Sequence, residues 1–219
     1  MTAPAIVQST TTVSTASMSL TGVTAGNTLV MAWFESSTAR SWRMEDDLLN
    51  EWLAVSSFAL TFGMNLAFAK DVAGGNVTVT AYPSFTGTIA SGILYELGPC
   101  GLDLSGWFYD GSALNTHYSS KSAGIDVAAD SLVIAVGRSN SASLSTITEG
   151  SGYTKDLEYS GNGIVQSKAF NSAGSGERAS WSSATARQCG SMMFAFRNMA
   201  VGGGGAVIVN SRRNTLIGR

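Results

Sequence analysis

Apolar and polar positions alternate along much of the chain with the period of a β-strand, most clearly between residues 64 and 97. There 64–70 reads as a strand, Ala73-Gly74-Gly75-Asn76 as a turn, 77–82 as a second strand and 88–97 as a third. In the middle strand Val77, Val79 and Ala81 share one face while Thr78, Thr80 and Tyr82 share the other. Pro83 ends it, because proline cannot donate to a ladder. Upstream, 28–34 is a continuous apolar run behind a Gly26-Asn27 turn, the pattern of a strand buried on both faces. Residues 5–23, rich in Ser, Thr and Val, predict one or two strands of loose register. Between 36 and 63 two patterns compete. Met44, Leu48, Trp52 and Val55 fall at helical spacing behind Glu45-Asp46-Asp47, which suits a short helix over 43–54. The other reading is a loop carrying the acids and Asn50, then a strand over 52–58.

The pattern then returns. Ala69-Lys70-Asp71-Val72-Ala73-Gly74 aligns with Ala169-Phe170-Asn171-Ser172-Ala173-Gly174 at an offset of 100, without a gap as far as Ile93-Leu94 over Met193-Phe194. Asn27-Thr28-Leu29-Val30-Met31-Ala32-Trp33 aligns with Asp130-Ser131-Leu132-Val133-Ile134-Ala135-Val136 at an offset of 103. Matched blocks in one order predict a duplicated β unit. The repeat favours the loop at 36–63, since the matching Glu149-Gly150-Ser151-Gly152-Tyr153 is a turn. Between the blocks, 102–118 is strand-like but irregular. A unit of about five strands buries both faces poorly by itself. The expected fold is therefore all-β: one antiparallel, jelly-roll-like two-sheet β-sandwich over 1–198, to which both pseudo-repeats, at about 5–98 and 102–198, contribute strands. Two tandem small sandwiches are the alternative.

Residues 199–219 follow no such pattern. Gly202-Gly203-Gly204-Gly205 is a hinge, Ala206-Val207-Ile208-Val209 a strand-forming run, and 211–219 a tail with three arginines and no acid. Those three leave 10 of the 13 basic residues in the body against 15 acidic ones, so arm and body differ in charge. An apolar run on a glycine hinge suits β-augmentation of a neighbouring sheet. The candidate docking residues are Val207, Ile208, Val209, Arg212, Arg213, Leu216, Ile217 and Arg219.

Composition narrows the class. Charged residues make up 13% of the chain, half the usual share, with Ser, Thr and Gly supplying the polarity, as suits short strands and tight turns. A net charge of −2 offers no global attraction to nucleic acid. No apolar run reaches the roughly 18 residues that cross a bilayer, so no membrane partner is expected. The first six residues lack a basic and an apolar region, so no signal peptide is expected. Two cysteines, Cys100 and Cys189, do not make a disulfide scaffold.

Catalytic patterns are weak. His117 is the only histidine and has no nucleophile motif around it. Glu35, Asp47, Glu96, Asp110 and Glu158 are carboxylates without the spacing of a catalytic pair, and Glu96 stands out inside an apolar strand, facing outward or buried and hydrogen-bonded. Glu45-Asp46-Asp47 with Asn50 has calcium-type ligands but no EF-hand spacing. No metal, no cofactor and no enzymatic activity are expected. Three aromatics near loops or strand ends, Trp42, Trp107 and Tyr109, are candidates for stacking a sugar.

The order Gly26-Asn27-Thr28-Leu29-Val30, Asp47-x-x-Asn50-x-Trp52, Ala69-x-x-Val72-Ala73-Gly74-Gly75-Asn76-x-Thr78-Val79-Thr80 and Ile93-Leu94-Tyr95-Glu96 resembles a β-sandwich, jelly-roll-like module of tailed-bacteriophage structural proteins and some bacterial surface proteins. The likeness covers roughly residues 5–198. The second half departs from it at Ser175-Gly176-Glu177. The resemblance implies a non-enzymatic decoration or fibre component of the virion head or tail, assembled in the host cytoplasm. Its expected partners are capsid or tail subunits and further copies of itself. A carbohydrate-binding adhesion module, holding a host surface glycan, is the alternative.

Overall fold

The computed structural model describes residues 2–35, 42–57, 63–83, 88–119, 125–139 and 147–198, with the backbone alone at 54–57, 104–119, 125 and 183–189. Its elements are all strands. The first half contains β1 (Ile6–Val13), β2 (Ser17–Val23), β3 (Thr28–Glu35), β4 (Trp42–Asp46), β5 (Leu53–Ser57), β6 (Met64–Ala69), β7 (Gly75–Pro83) and β8 (Ile89–Leu97). The second contains β9 (Gly101–Ser119), β10 (Ile125–Val127), β11 (Ser131–Ser139), β12 (Ile147–Glu149), β13 (Thr154–Tyr159), β14 (Gly163–Phe170), β15 (Gly174–Glu177) and β16 (Ser180–Arg197).

The first half forms a five-stranded sheet in the order β1-β8-β3-β6-β5 and a three-stranded sheet in the order β2-β7-β4. Strands 1, 8, 3 and 6 on one sheet with 2, 7 and 4 on the other is the winding of a jelly roll. Here β5 extends the larger sheet. The second half repeats the winding: β16, β11, β14 and β13 lie side by side with β9 beyond β16, and β10 pairs with β15. The irregular stretch after residue 101 is one long strand, running beside β16 from Gly101 opposite Arg197 to Ser119 opposite Ser180.

No helix forms over 43–54. In β4 the burial alternates, with Trp42, Met44 and Asp46 inward. Its apolar residues join Val77, Val79 and Ala81 of β7 in one core cluster, and that burial outweighs the helical spacing of Met44, Leu48, Trp52 and Val55. Glu45 and Asp46 are therefore strand residues, and the turn begins only at Asp47.

The layers stack in a fixed order. Leu29, Met31 and Trp33 of β3 face the small sheet β2-β7-β4. Val30, Ala32 and Phe34 face the other way, into a core shared with Leu132, Ile134 and Val136 of β11. Behind β11, Val133 and Ala135 pack with Val127 of β10. Each half thus has its own sandwich, and the two large sheets make a further sandwich to which both halves contribute strands.

The faces correct the repeat alignment. Leu29 lies opposite Ala69 and Glu96, and Leu132 opposite Ala169 and Phe196, as offsets of 103 and 100 require. Those offsets match Val30 to Val133, however, which point to opposite sides of their sheets. Offsets of 104 for the central strand and 99 for its neighbours keep the same pairs and restore the faces. Ile93, Tyr95 and Leu97 then match Met192, Phe194 and Phe196 in the shared core. Gly26 (φ 85°) also falls on Asp130 (φ 59°), two left-handed turn residues. Antiparallel pairing constrains only the sum of the two offsets, so the ladder alone cannot detect a one-residue slip that reverses every side chain.

Close approach fixes one glycine. A Cβ at Gly137 would stand 2.3 Å from Nε1 of Trp181, whose ring is buried and donates to Ser191 Oγ at 3.1 Å.

Candidate functional site

Among the described residues, buried or half-buried ionisable groups are held at four places. The first is Glu96, whose side chain emerges on the face of β8 opposite Tyr95. It is fully buried. Its Oε1 accepts from Thr24 N at 2.8 Å and Asn27 Nδ2 at 2.5 Å, and Oε2 accepts from Gln8 Nε2 at 2.6 Å. Burial pushes the carboxyl's pKa up, but the donors from Thr24, Gln8 and Asn27 outweigh it and hold it below the ordinary 4.5. The carboxylate ties β1, the turn after β2 and β8 together.

The second is Asp46. Its Oδ1 accepts from the backbone N–H groups of Leu48 (2.9 Å) and Asn50 (3.1 Å), and Oδ2 from Asn50 Nδ2 (3.1 Å) and Trp52 Nε1 (2.6 Å). Asn50 Oδ1 accepts from Ala73 N at 2.8 Å, and Asp47 Oδ1 from Thr78 N at 2.9 Å. Glu45 pairs with Arg43 at 2.6 Å. The acids that suggested a calcium loop thus serve protein donors, and hold the Leu49 turn (φ 59°) against β7.

The third lies at the seam between halves. Glu35 Oε1 accepts from Trp42 Nε1 and, at 2.6 Å, from Asn65 Nδ2. Arg138 of β11 reaches across and donates from Nη1 to the carbonyls of Glu35 (2.6 Å) and Gly63 (3.2 Å). Its guanidinium lies over the rings of Phe34 and Tyr159, which stack 5.7 Å apart. Burial lowers the Arg138 pKa, and Tyr159 and Glu35 partly offset this.

The fourth is also a seam contact. Tyr95 Oη donates to Asp156 Oδ2 at 2.8 Å. Asp156 is the extra residue of a bulge, since Lys155 opposes Gln166 and Leu157 opposes Val165, and the bulge turns its side chain inward. Burial raises the Asp156 pKa above 3.8, against the hydrogen bonds from Tyr95 and Ser167. The fold therefore holds this proton more tightly than the unfolded chain does. Stability from this group is greatest in acid and falls as pH rises through the range just above 3.8. Asp156→Asn, which keeps an acceptor for Tyr95, is expected to match or exceed the wild type at neutral pH by up to about 1 kcal/mol. It should also flatten this part of the pH profile. Urea melts at several pH values check this, and an unchanged slope in the variant would assign the trend to another group.

The structure disperses the residues singled out from the sequence. Trp42 is not a surface platform: it is buried, its indole N–H is bonded to Glu35, and its ring stands edge-on to Trp33 at 5.6 Å. Trp107 and Tyr109 lie in β9 opposite Met192 and Gly190, and Asp110 and His117 opposite Cys189 and Ser182; the side chains of all four lie outside the description. Glu35 and Glu96 are not a catalytic pair. Glu96 pairs with Leu29, six residues along β3 from Glu35, a separation of roughly 20 Å. Burial pushes the Cys100 thiol up to about 11, against a hydrogen bond from Thr28, which leaves it protonated and unreactive at neutral pH. The arm residues Val207, Ile208, Val209, Arg212, Arg213, Leu216, Ile217 and Arg219 lie outside the described residues. A shallow groove of about 370 Å³ runs between the N-terminal segment at Thr2–Ile6 and Ser167, Lys168 and Asn171. The Lys168 ammonium there is already engaged, 4.5 Å from the centre of the Phe170 ring.

Arg138, Asn65 and Asp156 escaped the sequence reading. A lone arginine closing the apolar run 131–137 was the available signal for the first. Nothing in the sequence marks a bulge at Asp156.

No family model matches the chain, and no curated protein or solved structure is significantly similar to it. The residues that carry the phage-module resemblance include Asn27, Asn50, Trp52 and Glu96, and in this fold those four make the two clasps around Glu96 and Asp46.

Proposed function

We propose that the protein is a non-enzymatic structural component of a tailed-phage virion, a head or tail decoration or fibre subunit. The arm at 199–219 anchors it to capsid or tail subunits, and the double jelly roll faces outward. The use of the buried acids supports this reading most. Glu35, Asp46 and Glu96 accept at least two, four and three hydrogen bonds respectively from protein donors, and each ties separate parts of the chain together. Such groups suit a scaffold better than a hydrolytic centre, where a carboxyl must be free to meet substrate. Burial of Trp42 removes one of the three rings on which glycan binding would rest. Deleting 202–219 is expected to abolish incorporation into particles while leaving the melting of the body unchanged. Truncated protein at full occupancy on purified particles would overturn the reading.

A further inference from the structure

The outer edge of β1 is uncharged and long; the edge strand β2 is also uncharged, but it is one residue shorter and its pairing shifts register after Leu20. β1 is the first strand of its sheet, and among the described residues it pairs only with β8. An outermost strand presents a row of free backbone donors and acceptors, and proteins commonly blunt such edges with charge, shortness or bulges. The opposite edge of the second large sheet, β13, has all three: six residues, a bulge, and Lys155, Asp156 and Glu158. β4 carries Arg43, Glu45 and Asp46, and β5 has five residues among those described. β1 has eight residues, Ile6-Val7-Gln8-Ser9-Thr10-Thr11-Thr12-Val13, with no charge. Its one irregularity, at Val7, leaves Gln8 to Val13 in unbroken register with β8. Val7 is 53% and Val13 71% exposed, so apolar surface accompanies the open edge.

The chain end identifies an occupant. Asn198, the last described residue, donates from Nδ2 to Thr2 O at 2.7 Å, so the arm departs beside the segment that leads into β1. Residues 199–205 then separate that point from the apolar run 206–209. Seven residues span at most about 25 Å when fully extended. The far end of β1 lies roughly 24 Å beyond Ile6 alone. The hinge would therefore have no slack with which to reach Val13 and turn back. On its own β1 the arm could pair antiparallel only over the first few residues, beside the irregularity at Val7. Antiparallel addition along Gln8–Val13, the stretch in unbroken register, has to come from another molecule.

We propose that the edge of β1 receives residues 206–209 of a second copy as an added antiparallel strand, so that the protein assembles with itself through its own arm. The proposal rests on the assembly reading only in giving the arm a docking role. The backbone supplies the bonds, while Val207, on the same face of the added strand as Val209, meets exposed Val13.

The test uses the full chain. Light scattering across a wide concentration range is expected to show wild type assembling beyond the monomer. Ile208→Pro removes a backbone donor from the added strand, and Val13→Lys charges the receiving edge; each is expected to abolish the association without changing the circular dichroism or the melting midpoint. Mixing a Val13→Cys chain with a Val207→Cys chain should give a disulfide-linked dimer on oxidation. A wild type that stays monomeric throughout, or association that survives both substitutions, would overturn the proposal. So would loss of association in Val13→Lys alone, which would show two β1 edges meeting each other. Self-association through the arm by a protein that never enters particles would leave this inference standing and remove the virion reading.

Discussion

Glu96→Ala is expected to destabilise the protein by about 4 kcal/mol, because charge-assisted hydrogen bonds are lost and a buried donor is stranded. The carboxylate holds three donors from three parts of the chain: Gln8 in β1, Thr24 in the turn and Asn27 at the entry to β3. Thr24 and Gln8 can turn to water, but Asn27 is buried. Its amide would be left without its carboxylate acceptor in an apolar setting, the more damaging half of the loss. At this chain length the melting midpoint should fall by roughly 10 °C. Glu96→Gln separates shape from charge. The Gln8 amide can rotate to accept from the new amide while Thr24 and Asn27 keep an oxygen, so the losses are charge assistance and the exposed bond from Gln8 to Thr21 O, together about 2 kcal/mol. The pH dependence follows from the lowered pKa. The clasp contributes fully above the ordinary 4.5, and its contribution disappears as pH falls through the lower value of the folded state. Glu96→Ala should therefore lose part of the acid-unfolding limb as well as stability at neutral pH. Denaturant melts at neutral and acid pH measure both. An alanine variant within 1 kcal/mol of Glu96→Gln would show that the donors are satisfied without the carboxylate.

The strands of the first half were legible because their signals are local. The apolar run of β3, the Gly26-Asn27 turn and the Val77–Thr80 alternation each reflect burial of a single strand. The second copy was legible for the same reason. Which way each strand faces was not. Val30 and Val133 both stand inside uniformly buried runs, so neither sequence carries the period-2 contrast that marks a face. Only the packing of the two large sheets, a contact between residues about a hundred positions apart, decides it. The polar ties were half legible. Glu96 is conspicuous in an apolar strand, but that its charge is held by an amide at Asn27 and an N–H at Thr24 depends on jelly-roll winding. Trp42 was misjudged because its neighbours are polar: β4 buries every second residue, so a buried tryptophan sits beside an exposed arginine. Asp156 shows the limit, since a bulge has no composition of its own.

The shared core makes the second large prediction. Phe68 is buried between the halves and meets Phe196 edge to face, 6.0 Å between centres. Phe68→Ala opens a cavity in a region that neither half can close by moving independently, because Arg138 and the Tyr95–Asp156 bond pin the sheets on either side. The cost is expected near 4 kcal/mol, the sum of lost transfer energy, cavity and aromatic pairing. The form of the transition is more informative than its midpoint. If each half were a self-sufficient domain, the first would melt early and the second would keep its own midpoint. With one face of each large sheet buried only by the other sheet, loss of either half exposes the core of its neighbour. Both should therefore unfold together at a lower temperature. Calorimetry checks this by comparing the measured enthalpy with that inferred from the sharpness of the transition. Equal values in wild type and variant mark one cooperative unit. Two resolved transitions in Phe68→Ala would instead mean that each jelly roll is stable alone, and that the chain joins two complete domains rather than two halves that need each other.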